Sequence, residues 1–189
     1  MLIGLPSESL DPCFAAQRRE MWCWAASLQM VFEYYGIGVS QEMLVHRSFG
    51  LTPYGTLPNK PGSFMDITAH LNTLNIDYHG RRYHVWAHLQ PGIPDMNTLI
   101  SELSARRPIL ISYQSRPRMN HAVICTAAEI KPHPFTGQPT ITRLIVRDPA
   151  PTPRNRARKG RIEHMAQDFL PRIQAWWIIR IRNERSNLR

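Results

Sequence analysis

At 189 residues, with 43% hydrophobic and 20% charged side chains, the chain has the composition of a globular protein able to bury a core without staples, which excludes a disordered segment. Its apolar runs are too short to span a bilayer, and the opening "MLIGLPSESLDP" lacks the basic start and long apolar stretch of a Sec signal peptide. The net charge of +9 is uneven: residues 1–130 carry ten Lys/Arg and ten Asp/Glu, whereas residues 131–189 carry thirteen and four.

From Cys23 to Tyr35 the apolar positions Ala25, Leu28, Phe32 and Tyr35 recur at helical spacing, and Gly36 supplies the stop. Ser40 is an N-cap for a second helix, "QEMLVHRSF". Residues 50–62, rich in Pro and Gly, predict a surface loop. Ser63 then caps "FMDITAHLNTLN", with Asp66 in capping-box position and Ile67, Leu71 and Leu74 as the buried stripe. A further helix starts after Asp95 and buries Leu99, Ile100 and Leu103. Beyond it the period becomes extended: 108–113, 121–130, 140–148 and 175–181 read as strands. Helices first and strands joined by hairpin-length links afterwards predict an α+β fold, with N-terminal helices packed on a C-terminal antiparallel sheet. Of the last strand's tryptophans, Trp176 and Trp177, alternation places one in the core and the other as a surface anchor. One domain is expected over 1–189, its core at about 13–182.

The three cysteines, Cys13, Cys23 and Cys125, have neither a disulfide framework nor metal-knuckle spacing. That pattern fits a reducing compartment and at least one functional thiol. His79, His84 and His88 lack nearby acidic or thiol partners at ligand spacing, so neither a metal nor another cofactor is expected. The densest charge, "RNRARKGR" (154–161), has no interleaved aromatics and reads as a solvated loop, which makes nucleic acid an unlikely partner.

The stretch "AQRREMWCWAASLQM" (16–30) holds the candidate chemistry. Cys23 falls where the first helix begins, in the positive end of its dipole, a position that favours a thiolate. A thiolate nucleophile needs a base and a group to hold that base. His121 opens one strand and Asp148 closes the next. A symmetric hairpin turning within "KPHPFTGQP" pairs His121 with Asp148, Val123 with Val146 and Cys125 with Leu144, so all six share one face. The face is apolar except for the His and Asp at one end. Asp148 then accepts from one ring nitrogen and directs the other at Cys23. Gln17, just upstream, is positioned to donate its amide to the oxyanion of a tetrahedral intermediate.

Taken together, the motif Q-x5-C-W-A-A-S-x-x-M, "RPILISY", "NHAVICT" and "VRDPAP" resembles the papain-like cysteine peptidases of bacteria, the C39-like peptidases and the AvrRpt2-type effector proteases. The resemblance runs from Gln17 to the strand near Trp177. It implies a papain-like fold with Cys23 as nucleophile, His121 as base, Asp148 as orienting residue and Gln17 in the oxyanion hole. Trp22 departs from the family pattern and is expected to narrow the cleft or alter preference. The implied partners are a protein or peptide substrate and a dedicated inhibitor. The implied setting is a bacterial effector or toxin, cytoplasmic before delivery by a dedicated secretion system. The same residues also serve glutamine deamidases and transglutaminases, and a binding-only pseudoenzyme or a nucleic-acid-binding protein are the readings from other classes.

Overall fold

The structure, a computed structural model, describes residues 1–184. In chain order the elements are β1 (Leu2–Gly4), α1 (Ser7–Leu10), α2 (Cys23–Tyr34), α3 (Gln41–Phe49), α4 (Phe64–Thr73), β2 (Asn75–Tyr78) and β3 (Arg81–Pro91). There follow α5 (Met96–Ser104), β4 (Ile109–Arg116), β5 (Met119–Pro132), β6 (Pro139–Arg147), α6 (Pro153–Ala157), β7 (Arg161–Met165), α7 (Ala166–Phe169) and β8 (Ile173–Glu184). The caps expected from sequence are in place. Ser40 accepts from the Met43 amide, and Ser63 and Asp66 exchange both bonds of a capping box; Asp95, which the sequence marked only as preceding a helix, also acts as a cap by accepting from the Thr98 amide.

The strands form one antiparallel sheet in the order β2-β3-β8-β4-β5-β6-β7, with β1 added to β5. Helices α2, α3 and α4 cover one face, where Leu28, Phe32, Leu71, Leu110, Ile124 and Trp177 pack together. Helices α5 and α7 cover the other, over Leu103, Val123, Cys125, Leu144, Phe169 and Trp176. Both tryptophans are therefore core, at 3% and 0% exposure; the expected surface anchor is absent because helices lie on both sides of β8.

Strands β1, β2, β3 and β7 had no counterpart in the sequence reading. In β3 only Val85 and Ala87 are buried, while Trp86 and His88 on the alternate face remain exposed. The "RNRARKGR" segment is likewise not a plain loop. It forms the short α6 and the start of β7, with Asn155 and Gly160 buried and the cations between them exposed.

The β5–β6 register also differs from the symmetric hairpin. Cys125 pairs with Val146 rather than Leu144, and bulges follow between Cys125 and Ala127 and between Glu129 and Ile130. The shift at Cys125 is two residues, an even number, so the side chains keep their faces. Asp148 lies one residue past the Ile124–Arg147 pair, on the diagonal from His121. Diagonal neighbours about 7–8 Å apart on a sheet are still bridged by long side chains.

Candidate active site

Cys23 is the first residue of α2, whose N-cap position, Trp22, makes no side-chain capping bond. The first amides of a helix have no intrahelical acceptor, so donors and the positive dipole end surround the sulfur. The thiol is half-exposed, whereas Cys13 and Cys125 are buried free thiols. Burial pushes the Cys125 thiol up to about 12, and the Cys13 thiol donates to the Ser9 carbonyl at 3.3 Å.

Trp22 does not narrow the cleft. It is 1% exposed and its indole N–H donates to Pro58 O at 3.0 Å, tying the 50–62 loop to the start of α2. A planar apolar residue with one donor suits a buried anchor of this kind.

Two links carry α2 to the strand bearing His121. Small residues Ala25 and Ala26, both fully buried, let the helix approach the sheet closely. Ser27, also fully buried, donates its hydroxyl to Ala122 O at 3.1 Å. The bond joins the helix one turn below Cys23 to the residue after His121.

His121 Nε2 meets Asp148 Oδ1 at 2.7 Å, and His121 and Cys23 line the same cavity. Burial opposes the imidazolium, but the hydrogen bonds to Asp148 and Cys23 and the charges of both outweigh it and raise His121 to about 10. Asp148 is buried too. Burial alone raises a carboxyl, yet the hydrogen bond and charge of His121, the Ala150 amide and the Asn155 side chain leave it below its ordinary value. Each partner thus favours the charged form of the other.

The Asp148 loop has its own supports. The Asp148 amide donates to Gly160 O at 2.8 Å, the Ala150 amide to Asp148 Oδ1 at 2.8 Å, and Asn155 Nδ2 to Ala150 O at 3.1 Å. On the other side of the imidazole, Tyr113 is the direct cross-strand partner of His121 and meets its ring edge-on at 5.9 Å. Tyr113 is itself held between Phe169 and the Arg172 guanidinium. Ser27, Tyr113 and Asn155 were not singled out from sequence. The Ser of "CWAAS" was the one available signal, as a small polar residue on an otherwise apolar helix face.

A cavity of about 490 Å³ opens beside Cys23 and His121, walled by Trp24, Phe64, Ile67, Leu110, Met119 and Trp177. Gln17 does not line it. Its backbone N–H donates to Pro149 O at 2.8 Å, which places it beside the Asp148 loop. Its Nε2 donates to Glu20 O at 2.7 Å and Arg19 O at 3.1 Å, while its Oε1 is buried without a partner among the described residues. The structure thus brings Cys23, His121 and Asp148 together and holds Gln17 at the turn leading into Cys23.

A helix-borne cysteine packed on an antiparallel sheet that carries a histidine is the arrangement of the papain-like cysteine peptidases, and the fold matches solved members of that class. The peptidase domain of ComA, a bifunctional ABC transporter of Streptococcus, superposes with a TM-score of 0.56 at 16% identity, over 87% of this chain and 95% of that one. Procathepsin L2 from the larval midgut of Tenebrio molitor gives a TM-score of 0.55 at 11% identity, over 94% and 67%. No curated protein matches the sequence. The chain belongs to the Peptidase_C39 like family, whose profile matches residues 10–172. It is a papain-like cysteine peptidase.

Proposed function

We propose that Cys23, His121 and Asp148 act as a catalytic triad that hydrolyses peptide bonds through an acyl-enzyme. The supporting observation is the 2.7 Å His121–Asp148 bond, made by an imidazole that lines the same cavity as Cys23. With Nε2 committed to Asp148, Nδ1 is the ring nitrogen left to take the thiol proton. The thiol proton moves to Nδ1, giving a thiolate–imidazolium pair. The thiolate forms a C–S bond to the scissile carbonyl carbon and the carbonyl electron pair moves onto oxygen. Collapse of this intermediate breaks the C–N bond, and the leaving amine takes the Nδ1 proton. A water molecule then gives its proton to His121 and attacks the thioester carbonyl, and the thiolate leaves.

The developing oxyanion is met by the Cys23 backbone N–H at the uncapped helix end and by the Gln17 amide. Both Gln17 amide hydrogens have carbonyl partners in the free protein, and the longer contact, to Arg19 O, is the one an oxyanion replaces. Such donors contribute most where charge appears only in the transition state. The apolar cavity is the seat for a peptide substrate's side chain. We place the protein, as a single domain, among bacterial effectors or toxins restrained by an inhibitor in this cleft; co-expression with a cleft-binding partner relieving toxicity is the corresponding observation.

The test is labelling with the papain-class epoxide E-64 at neutral pH, read by intact mass and peptide mapping. Single labelling at Cys23, falling at least ten-fold in His121→Ala, is the expected result; equal slow labelling of all three cysteines refutes the triad. Mass analysis of a treated proteome separates peptide cleavage from deamidation, which raises glutamine mass by about one dalton while leaving chains intact; the shared Cys-His chemistry serves either reaction.

A further inference from the structure

The side chain of Gln41, the first residue of α3, is fully buried. A buried amide is costly unless its hydrogen bonds are made, and the partners of this one are concentrated around a single residue. Gln41 Oε1 accepts from the Arg18 amide at 3.0 Å. Its Nε2 donates to Ala16 O and to Gln29 Oε1, each at 3.0 Å. Ala16 and Arg18 are the two neighbours of Gln17.

The peptide unit between residues 16 and 17 is therefore held at both ends, its carbonyl by Gln41 and its N–H by Pro149 O at 2.8 Å. The next unit is held at its N–H, again by Gln41. Peptide units are planar, so fixing two successive units fixes the φ and ψ between them. That sets the direction of the Cα–Cβ bond of Gln17. The bond to Gln29 braces the clamp against α2, the helix that begins with Cys23. Arg18 adds an exposed ion pair to Glu42 on α3 at 2.7 Å.

We infer that Gln41 is a positioning residue for oxyanion stabilisation, acting through Gln17 and not through the thiolate. The inference rests on the oxyanion role given to Gln17 above. It predicts a selective defect: reactions that pass through a tetrahedral oxyanion slow, while simple alkylation of Cys23 does not. Removing an oxyanion donor outright typically lowers rate by about 10²–10³; misplacing one is expected to lower it about ten-fold.

The experiment compares wild type, Gln41→Met, Gln17→Ala and the double variant. Acylation by N-acetylglycine p-nitrophenyl ester gives kcat/KM, and iodoacetamide alkylation of Cys23 reports the thiolate. The expected result is a fall of about ten-fold in ester kcat/KM for Gln41→Met, an unchanged alkylation rate, and a double variant no slower than Gln17→Ala alone. Multiplying losses in the double variant, a parallel fall in alkylation, or unimpaired ester turnover by Gln41→Met beside an impaired Gln17→Ala each overturn the inference. Full ester turnover by Gln17→Ala, or no turnover by a wild type that still alkylates, overturns instead the oxyanion reading beneath it. If Gln41→Met does not fold, the same cycle is run with Gln41→Glu, which keeps the acceptor for Arg18 and loses the donor to Ala16.

Discussion

At the scale of single residues, the proposed triad ties both stability and rate to the charge state of His121. Its value in the folded protein, about 10, stands above the ordinary 6.5. A raised value means that the imidazolium's contribution to stability is complete below about pH 6.5 and is lost as pH climbs toward about 10. Asp148 is lowered, so its contribution is present above the ordinary carboxyl value and is lost on acidification. Melting temperature is therefore expected to fall between pH 6.5 and 10 more steeply in wild type than in Asp148→Asn, where the imidazolium has lost its closest anion. The same substitution is expected to move the alkaline limb of kcat/KM to lower pH, since in the proposed mechanism His121 delivers a proton to the leaving amine. Coincident wild-type and Asp148→Asn profiles would contradict this coupling. Cys23, His121 and Asp148 were legible from sequence because each interrupts a pattern: a thiol at a helix start and a polar pair ending an apolar strand face. Gln41 interrupts nothing visible, and Ser27 gives only the faint signal of a small polar residue on an apolar helix face. A polar residue opening a helix or lying within one reads as solvated, and only the long-range partners of these two, Ala16, Arg18 and Ala122, show otherwise.

Among elements, what matters is how α2 is seated on β5 and how the Asp148 loop is seated on β7. Ser27→Ala removes the α2–β5 bond, a loss of about 0.5–1.5 kcal/mol. The expected result is a lower denaturation midpoint together with a lower kcat/KM, because Cys23 and His121 are no longer held in register. Gly160, immediately before β7, is the corresponding point for the Asp148 loop. Its φ is +72°, and a Cβ there would fall 2.7 Å from both Asp148 O and the Phe14 ring. Gly160→Ala is expected to destabilise by more than about 1 kcal/mol and to weaken the His121–Asp148 bond, read as a downfield imidazole proton that broadens or disappears. Helices α2 to α5 were readable from caps and 3.6-residue periodicity. Strand β3 was not, because Val85 and Ala87 are too sparse an apolar alternation among arginines and histidines. The two-residue register shift was also invisible: it is already present at the Pro132–Pro139 pair that closes the hairpin, and the two bulges beyond it cancel. It moved Asp148 from direct partner to diagonal neighbour of His121 but left the side-chain contact intact, because an even shift preserves faces.

Across the whole molecule, the net positive charge is segregated from the chemistry it borders. Arg154 and Arg158 are exposed on the segment that also supplies Asn155 and Gly160 to the Asp148 loop, whereas the cleft wall is mainly apolar. Buried Asn and Gly hold structure while exposed cations set the field around it, so the two roles of this segment separate by mutation. Exposed charges act at a distance comparable to the Debye length, about 10 Å at 0.1 M salt, and steer association more than they alter bound-state chemistry. In Arg154→Gln/Arg158→Gln, stability and turnover of a neutral ester are expected to stay at the wild-type level. For an acidic peptide, wild-type kcat/KM should fall with ionic strength and the variant's should fall less, the two converging at high salt. If the variant instead slows the neutral ester at every salt concentration, these arginines act on the Asp148 loop itself and not through the field.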